Sequence, residues 1–309
     1  MNPLSGIYGA ASAFRNTLYD RGMLRSRRLE RPVVSVGNIS TGGSGKTPFV
    51  MALAELLAAR GIRCDVLSRG YGRRTRGVLV VEPNGSASEF GDEPLLIARR
   101  LGVPVVVGES RYQAGLVAES KFESQLHILD DGFQHRSLAR DFDIVLMTGS
   151  DFEDQLLPAG RLREPLTSIE RADAIVLPNE VAVPAAALRG KPVWRMRREI
   201  SISIAMQSPV VFCGLGRPEQ FFAQVRGAAI APAAEIIFRD HHAYGRGDVE
   251  RLLATKAKLG ADGFVTTEKD AVNLGVLLAE LQPMAIAALR VTLDDAAGIV
   301  DSILKRIGK

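Results

Sequence analysis

A short apolar run, Val33 to Gly37, leads into Ser40-Thr41-Gly42-Gly43-Ser44-Gly45-Lys46-Thr47, and the residues from Lys46 to about Arg60 carry a helical pattern. This strand, glycine-rich turn and helix constrain the fold more than any other feature. They match G-x-x-x-x-G-K-[ST] in the context that the motif requires, with Ser40 in place of its first glycine. Glycines at 42, 43 and 45, with Thr41 and Ser44 between and beside them, let backbone N–H groups turn inward around phosphate oxygens at a helix N-terminus. Lys46 adds a point charge for the β- and γ-phosphates, and the Thr47 hydroxyl is the expected Mg²⁺ ligand. The guanine-reading string Asn-Lys-x-Asp is missing, and its nearest relative, Thr267-Glu268-Lys269-Asp270, lacks the asparagine; ATP is therefore favoured over GTP.

Further apolar runs, Ile62 to Leu67, Val103 to Val107, Leu126 to Leu129, Ile144 to Met147 and Ala174 to Leu177, alternate with helical or loop segments. That alternation predicts an α/β fold, a P-loop NTPase with a mostly parallel sheet flanked by helices. Ligands of such sheets sit outside the carboxyl ends of the strands. Near Pro192 the pattern changes: Val193 to Ile204 reads as a strand-like linker, and a second series begins at Val210. Its strands are expected at 210–213, 235–238, 264–266 and 286–291, with helices near 218–225 and 247–259. The expected organisation is a basic amphipathic helix within 1–31 that belongs to the core domain, an ATP-binding core over 32–203, and a smaller C-terminal α/β domain over 204–309. The last strand and helix of that smaller domain are able to return to the core.

Composition excludes several classes. With 46% hydrophobic and 24% charged residues and no repeat, the chain is an ordinary folded protein rather than a disordered one. Cys64 and Cys213 lie far apart and form no metal-ligand spacing, so buried thiols in a reducing compartment are expected. No run approaches the roughly 18 apolar residues of a spanning helix, and the start of the chain lacks a signal-peptide pattern. The net charge of +4 arises within residues 1–31, where six arginines (15, 21, 25, 27, 28 and 31) face only Asp20 and Glu30. There Leu4, Ile7, Tyr8, Ala11, Phe14 and Leu18 recur at helical spacing, giving one apolar face and a basic end. An anionic membrane surface suits that pattern, each basic residue contributing about 1 kcal/mol. The alternative is a first helix packed on the core with solvated arginines. Nucleic acid is not expected, because no aromatic-and-basic interleaving accompanies the charge.

The run Leu126-His127-Ile128-Leu129 ends in Asp130-Asp131-Gly132-Phe133-Gln134-His135, which sets two carboxylates where a P-loop enzyme places its magnesium-organising aspartate. On an extended strand the two point to opposite sides, one toward Mg²⁺ and the other away or toward the acceptor. Gly91-Asp92-Glu93-Pro94 precedes a predicted helix, so Asp92 is an N-cap candidate. Asp92 has a second reading with Arg239-Asp240-His241-His242, since a kinase must deprotonate its attacking hydroxyl and an Asp–His pair poises an imidazole. In Leu157-Pro158-Ala159-Gly160-Arg161-Leu162-Arg163-Glu164-Pro165, Arg163 can meet phosphate charge and Glu164 can join the metal shell, or the two serve a surface salt bridge. Arg69 and Arg111 also follow predicted strands and are candidate phosphate or acceptor contacts.

Taken together, Val36-Gly37-Asn38, Gly-Gly-Ser-Gly-Lys-Thr-Pro at 42–48, Ser-Arg-Gly-Tyr-Gly-Arg at 68–73 and Gly-Asp-Glu-Pro at 91–94 resemble the tetraacyldisaccharide 4'-kinase family of lipid A biosynthesis. Asp-Asp-Gly-Phe-Gln-His at 130–135, the 157–165 segment, Asp-His-His at 240–242 and Thr-Thr-Glu-Lys-Asp-Ala-Val at 266–272 extend the resemblance nearly end to end. It implies transfer of the ATP γ-phosphate to the 4'-hydroxyl of an acylated disaccharide 1-phosphate lipid, by a peripheral enzyme at the cytoplasmic face of an inner membrane. It also implies roles. Lys46 and Thr47 would hold phosphates and Mg²⁺, Asp92 with His241 would activate the sugar hydroxyl, and Asp130, Asp131 and Glu164 would organise metal and acceptor. Arg111 and Arg163 would meet phosphate charge, and the C-terminal domain would close over the nucleotide. His241 is preferred to His242 because the family's histidine directly follows its aspartate.

A competing class is a membrane-surface P-loop ATPase switch that has no metabolite acceptor. Such switches carry a signature lysine just before the two loop glycines, where this chain has Thr41. A non-catalytic nucleotide-binding module leaves Asp92 and His241 without a role.

Overall fold

The computed structural model describes residues 3–183 and 185–308; residues 1, 2, 184 and 309 of the expected segments lie outside the described residues. Helix α1 (Pro3–Asp20) precedes β1 (Val33–Asn38), α2 (Lys46–Ala59), β2 (Cys64–Ser68) and β3 (Leu79–Val80). Next come α3 (Ala87–Phe90), α4 (Asp92–Leu101), β4 (Val105–Val107), α5 (Arg111–Lys121), β5 (Leu126–Asp130), β6 (Phe142–Leu146) and β7 (Ala174–Pro178). The chain then forms β8 (Val193–Ile202), β9 (Val210–Cys213), α6 (Pro218–Gly227), β10 (Ala234–Ile237), α7 (Arg246–Leu259), β11 (Phe264–Thr267), α8 (Glu268–Leu274), β12 (Met284–Leu293) and α9 (Ala296–Arg306).

Most expected strands shift by a residue or two, for local reasons. Ile62 does not open β2, because its N–H caps α2 by donating to Leu57 O. Likewise β4 starts only after Pro104, which has no N–H to offer a ladder. Strands β1, β2, β4, β5, β6 and β7 are buried at every position, so they read as apolar runs without alternation.

Among the described residues twelve strands join one sheet in the order β10-β9-β11-β12-β8-β7-β6-β1-β5-β2-β4-β3. The strand expected as a linker, β8, is a full member: residues 193–196 pair in parallel with β7, and residues 196–202 pair antiparallel with β12. The start of β12 in turn pairs in parallel with β11. Strands on either side of the β8–β12 seam therefore run in opposite directions and are offset along it. As a result the carboxyl ends of β1 and β5 face the carboxyl ends of β9, β10 and β11. Both halves of the sheet direct their strand tips into one cleft, where parallel sheets collect their ligands.

Around β1 the core packs Phe49, Leu53 and Leu57 of α2 with Val34, Val36 and Ile128, and Ile299, Val300 and Ile303 of α9 complete it. In the C-terminal half, Phe212 and Phe264 pack with Val249 and Leu252 on one face, while Val211 and Val265 meet Phe221 and Phe222 on the other.

Helix α1 is inverted relative to a core helix. Its buried residues are Ser5 and Asn16, whereas Leu4, Ile7 and Phe14 are 59%, 67% and 66% exposed. Polar contacts hold it: Ser5 Oγ donates to Leu156 O (3.0 Å), Tyr8 Oη to Arg163 O (3.0 Å), and Asn16 Nδ2 to Glu164 Oε2 (2.8 Å). The apolar face is thus not the one that packs on the core. Among the described residues no helix is long and apolar enough to cross a membrane.

Candidate active site

The loop between β1 and α2 has the shape that phosphate binding requires. Gly42, Gly43 and Gly45 lie at φ of 78°, 48° and 83°, the left-handed region that a side chain disfavours. Asn38 Nδ2 braces the turn by donating to Ser44 Oγ (3.0 Å). On its other flank runs the 157–165 segment, where Thr41 N–H donates to Arg161 O (2.8 Å) and Arg163 N–H to Ile39 O (2.7 Å). Lys46 and the buried Thr47 open α2 directly behind the glycines.

Asp130 ends β5 opposite Val36 of β1, so it stands beside the strand that feeds the loop. The two carboxylates do not alternate across an extended strand as expected, because Asp131 already turns at φ 49°. Asp131 meets Lys46 Nζ (3.4 Å) and Arg163 Nη1 (3.0 Å). Although burial opposes its charge, these two cations hold Asp131 below the usual carboxylate range. Asp130 is 2% exposed; Ser68 Oγ donates to its Oδ2 (3.2 Å), while Oδ1 is buried with no hydrogen-bond partner among the described residues. Burial, then the charges of Glu93 and Asp131, push Asp130 up to about 7.

Arg111 opens α5 and is buried, with Nη1 donating to Glu109 O (3.0 Å). Burial and the nearby Arg69 bring it down to about 10, against the pull of Asp131 and Asp130. Glu164 is held by one oxygen: its Oε2 accepts from Asn16 and from Arg171 (2.8 Å each), tying α1 to the loop segment, while Oε1 is buried with no hydrogen-bond partner among the described residues.

Across the cleft, Asp92 is not the cap of α4 but its first residue; Gly91 is the cap. Its buried carboxylate accepts from His241 Nδ1 (2.8 Å to Oδ2), from Asn273 Nδ2 (3.0 Å) and from the Glu93 N–H (2.8 Å). Burial disfavours the Asp92 charge, but His241, Lys269 and Asn273 outweigh it and lower its pKa. His241 follows the tip of β10 at φ 56°, a conformation that costs a non-glycine residue about 1 kcal/mol. Burial lowers its affinity for a proton, yet the Asp92 hydrogen bond and charge prevail and raise its pKa above 6.5. His242 is turned away, donating to Asp248 (3.0 Å) and stacked on Phe238 at 4.8 Å.

Residues without a role in the sequence reading complete this cluster. Lys269, just after β11, reaches Asp240 Oδ1 (2.8 Å) and His241 Nε2 (3.3 Å), and the Tyr71 ring lies 4.9 Å from the imidazole. An ammonium beside Nε2 needs a lone pair there, so the imidazole proton sits on Nδ1, shared with Asp92. The half-buried Glu93 links the two groups, within the field of Lys269 and Asp92 on one side and Lys46 on the other; burial raises its pKa. The signal for Lys269 was its place immediately after an apolar strand.

The donor set fits Mg²⁺. Among the described residues no three His, Cys, Asp or Glu side chains form a closed metal cage. Mg²⁺ does not need one, being held by one or two carboxylates with phosphates and water. The unpartnered Asp130 Oδ1 and the Thr47 hydroxyl are hard oxygen donors of that kind.

The family model for tetraacyldisaccharide-1-P 4'-kinase matches residues 1–308. The chain is 47% identical to the tetraacyldisaccharide 4'-kinase of Koribacter versatilis, over 99% of this chain and 98% of that one. Identity to the enzyme of the same name from Aquifex aeolicus is 42%, over 88% of both chains. The fold superimposes on the solved structure of LpxK from Aquifex aeolicus in complex with ATP, with a TM-score of 0.81 and 38% identity over 99% of this chain and 97% of that one. The chain belongs to the tetraacyldisaccharide 4'-kinase family.

Proposed function

We propose that this protein transfers the γ-phosphoryl group of ATP to the 4'-hydroxyl of tetraacyldisaccharide 1-phosphate, in lipid A biosynthesis, with His241 as the base. The observation that carries the assignment of the base is the Asp92–His241 hydrogen bond of 2.8 Å at the mouth of the phosphate loop's cleft. His241 Nε2 takes the hydroxyl proton as the sugar oxygen bonds to the γ-phosphorus. The bond from that phosphorus to the bridging oxygen breaks, and ADP leaves with the electron pair. Asp92 holds the Nδ1 proton and balances the imidazolium that forms, as a poised general base needs. Lys269 swings from Nε2 to Asp240, already 2.8 Å away, when the hydroxyl arrives.

Lys46 and Arg163, now paired with Asp131, lie ready to exchange that carboxylate for phosphate oxygens. Thr47 and Asp130 would hold Mg²⁺, which supplies neutralising charge to the β- and γ-phosphate oxygens. Arg111 adds positive charge beside Asp130 and Asp131. The C-terminal half, which carries His241, moves relative to the loop as nucleotide enters.

The acceptor's acyl chains keep it in a bilayer, so the enzyme works at a membrane surface, at the cytoplasmic face of the inner membrane. The outward apolar face of α1 and its adjoining arginines support that reading. The test is transfer of labelled phosphate from ATP to the tetraacyldisaccharide 1-phosphate in detergent micelles. Transfer by the wild type that collapses in Lys46→Ala and Asp92→Ala supports the assignment; acceptor-independent ATP hydrolysis refutes it.

A further inference from the structure

Three arginines from separate segments stand round the phosphate loop. Arg161 is committed to Asp154 (2.7 Å), and Arg198 has Glu180 at 3.9 Å. Arg217, which follows β9, differs from both. Among the described residues no carboxylate lies within ion-pair distance of it, and its Nε and Nη2 are closed off from solvent without an acceptor. Its stem lies on the loop: a Cβ built on Gly43 would come 2.8 Å from Arg217 Cδ and 3.2 Å from Nε.

A guanidinium keeps its charge and its five donors wherever it is placed. Burial lowers the pKa of Arg217 and Arg161 and Arg198 add to the effect, with Asp151 and Asp154 opposing. Neither carboxylate serves it directly: Asp151 accepts the Thr148 N–H (2.7 Å), and Asp154 is held by Arg161. A half-buried cation with two enclosed, idle donors, resting on a glycine of a phosphate-binding loop, is a preformed anion site.

The loop that bears it is wedged in place. Gly214 N–H donates to Asp270 Oδ1 (2.9 Å). A Cβ on Gly216 would stand 3.1 Å from Asp240 Oδ2 and 3.8 Å from Gly42 Cα. The segment 214–217 therefore bridges the phosphate loop and the residue next to His241.

We propose that Arg217 reads the terminal phosphate of the nucleotide, its guanidinium binding γ-phosphoryl oxygens above Gly43 as an arginine finger supplied from the C-terminal half of the same chain. The proposal rests on the ATP reading of the site and adds to it a means of telling ATP from ADP. Occupancy of the γ-position fastens segment 214–217 to the loop on which it already rests, and with it Asp240 and His241.

The test is calorimetric titration of the wild type, Arg217→Met and Arg217→Ala with Mg²⁺-ADP and with a non-hydrolysable Mg²⁺-ATP analogue. Methionine keeps an aliphatic stem on Gly43 and removes only the charged head. The expected result is a loss of about 10-fold or more in affinity for the ATP analogue, with ADP affinity within about threefold of wild type, as for charge-assisted hydrogen bonds to one phosphate. Unchanged affinity for the analogue, or equal losses for both nucleotides with an unchanged melting temperature, overturns the proposal. Because binding is read without acceptor, failure of the lipid assignment leaves this comparison intact.

Discussion

His241 Nδ1 lies 2.8 Å from Asp92 Oδ2 although 149 positions separate the two residues and each belongs to a different half of the sheet. The hydrogen bond sets the tautomer and raises the histidine pKa, so the base is available only above that raised value. The acid limb of the kcat/KM profile should therefore fall above pH 6.5, the ordinary histidine value. Asp92→Asn removes the charge that raises it. The variant should lose about 10²–10⁴-fold in rate while its acid limb moves to lower pH; a limb that stays in place would show that His241 is not the titrating base.

Lys46 contacts Asp131 at 3.4 Å. Lys46→Ala should cost about 10²–10³-fold in kcat/KM, the scale for deleting one preorganised charge at a reacting group. Asp131 keeps Arg163, so the fold should persist, with a circular-dichroism melt close to wild type.

Replacing Leu4, Ile7 and Phe14 with serine should leave thermal stability unchanged, because these side chains are exposed. Flotation with anionic vesicles should fall by about 100-fold or more, since each buried apolar side chain contributes about 1.5–3 kcal/mol. Residual binding should weaken with added salt, as expected for the arginines. Equal flotation of the triple variant would exclude α1 as the membrane contact.

Near the start of β5, His127 is buried between Asp65 (2.8 Å) and Glu119 (3.4 Å). Burial opposes its protonation, but the two carboxylates prevail and raise its pKa. A raised folded-state pKa contributes stability that is full below pH 6.5 and is lost as pH rises through the folded value. The stability difference between the wild type and Asp65→Asn should thus be largest near pH about 6, the region of histidine titration, and shrink toward pH about 9. Urea melts across that range measure it.

The strands flanking the phosphate loop were legible because burial on both faces makes them plain apolar runs. Strand direction was not. A run such as Met284–Leu293 reads the same whether it pairs parallel or antiparallel, so the reversal at β8–β12, which makes the strand tips converge, was hidden. The spacing of Leu4, Ile7 and Phe14 gave α1 two faces but not which one turns inward. Hydrogen bonds from Ser5 and Asn16 to distant segments decide that. Asp92, Asp131 and His241 stood out by chemical type, whereas Lys269 lay in a string weighed as a guanine motif and as part of the family resemblance, and Asn273 lay just beyond it. Arg217 carried no pattern, since its meaning comes from Gly43 beneath it.

The core around β1 is closed by Ile299, Val300 and Ile303 of α9, which the chain reaches only after building every strand of the other half. Synthesis proceeds from the N-terminus, and a segment ordinarily folds as soon as its own contacts are complete. Here the first-made half lacks part of its interior until α9 emerges. A translation product truncated ahead of α9 should therefore be a substrate for proteases rather than a free-standing nucleotide-binding fragment.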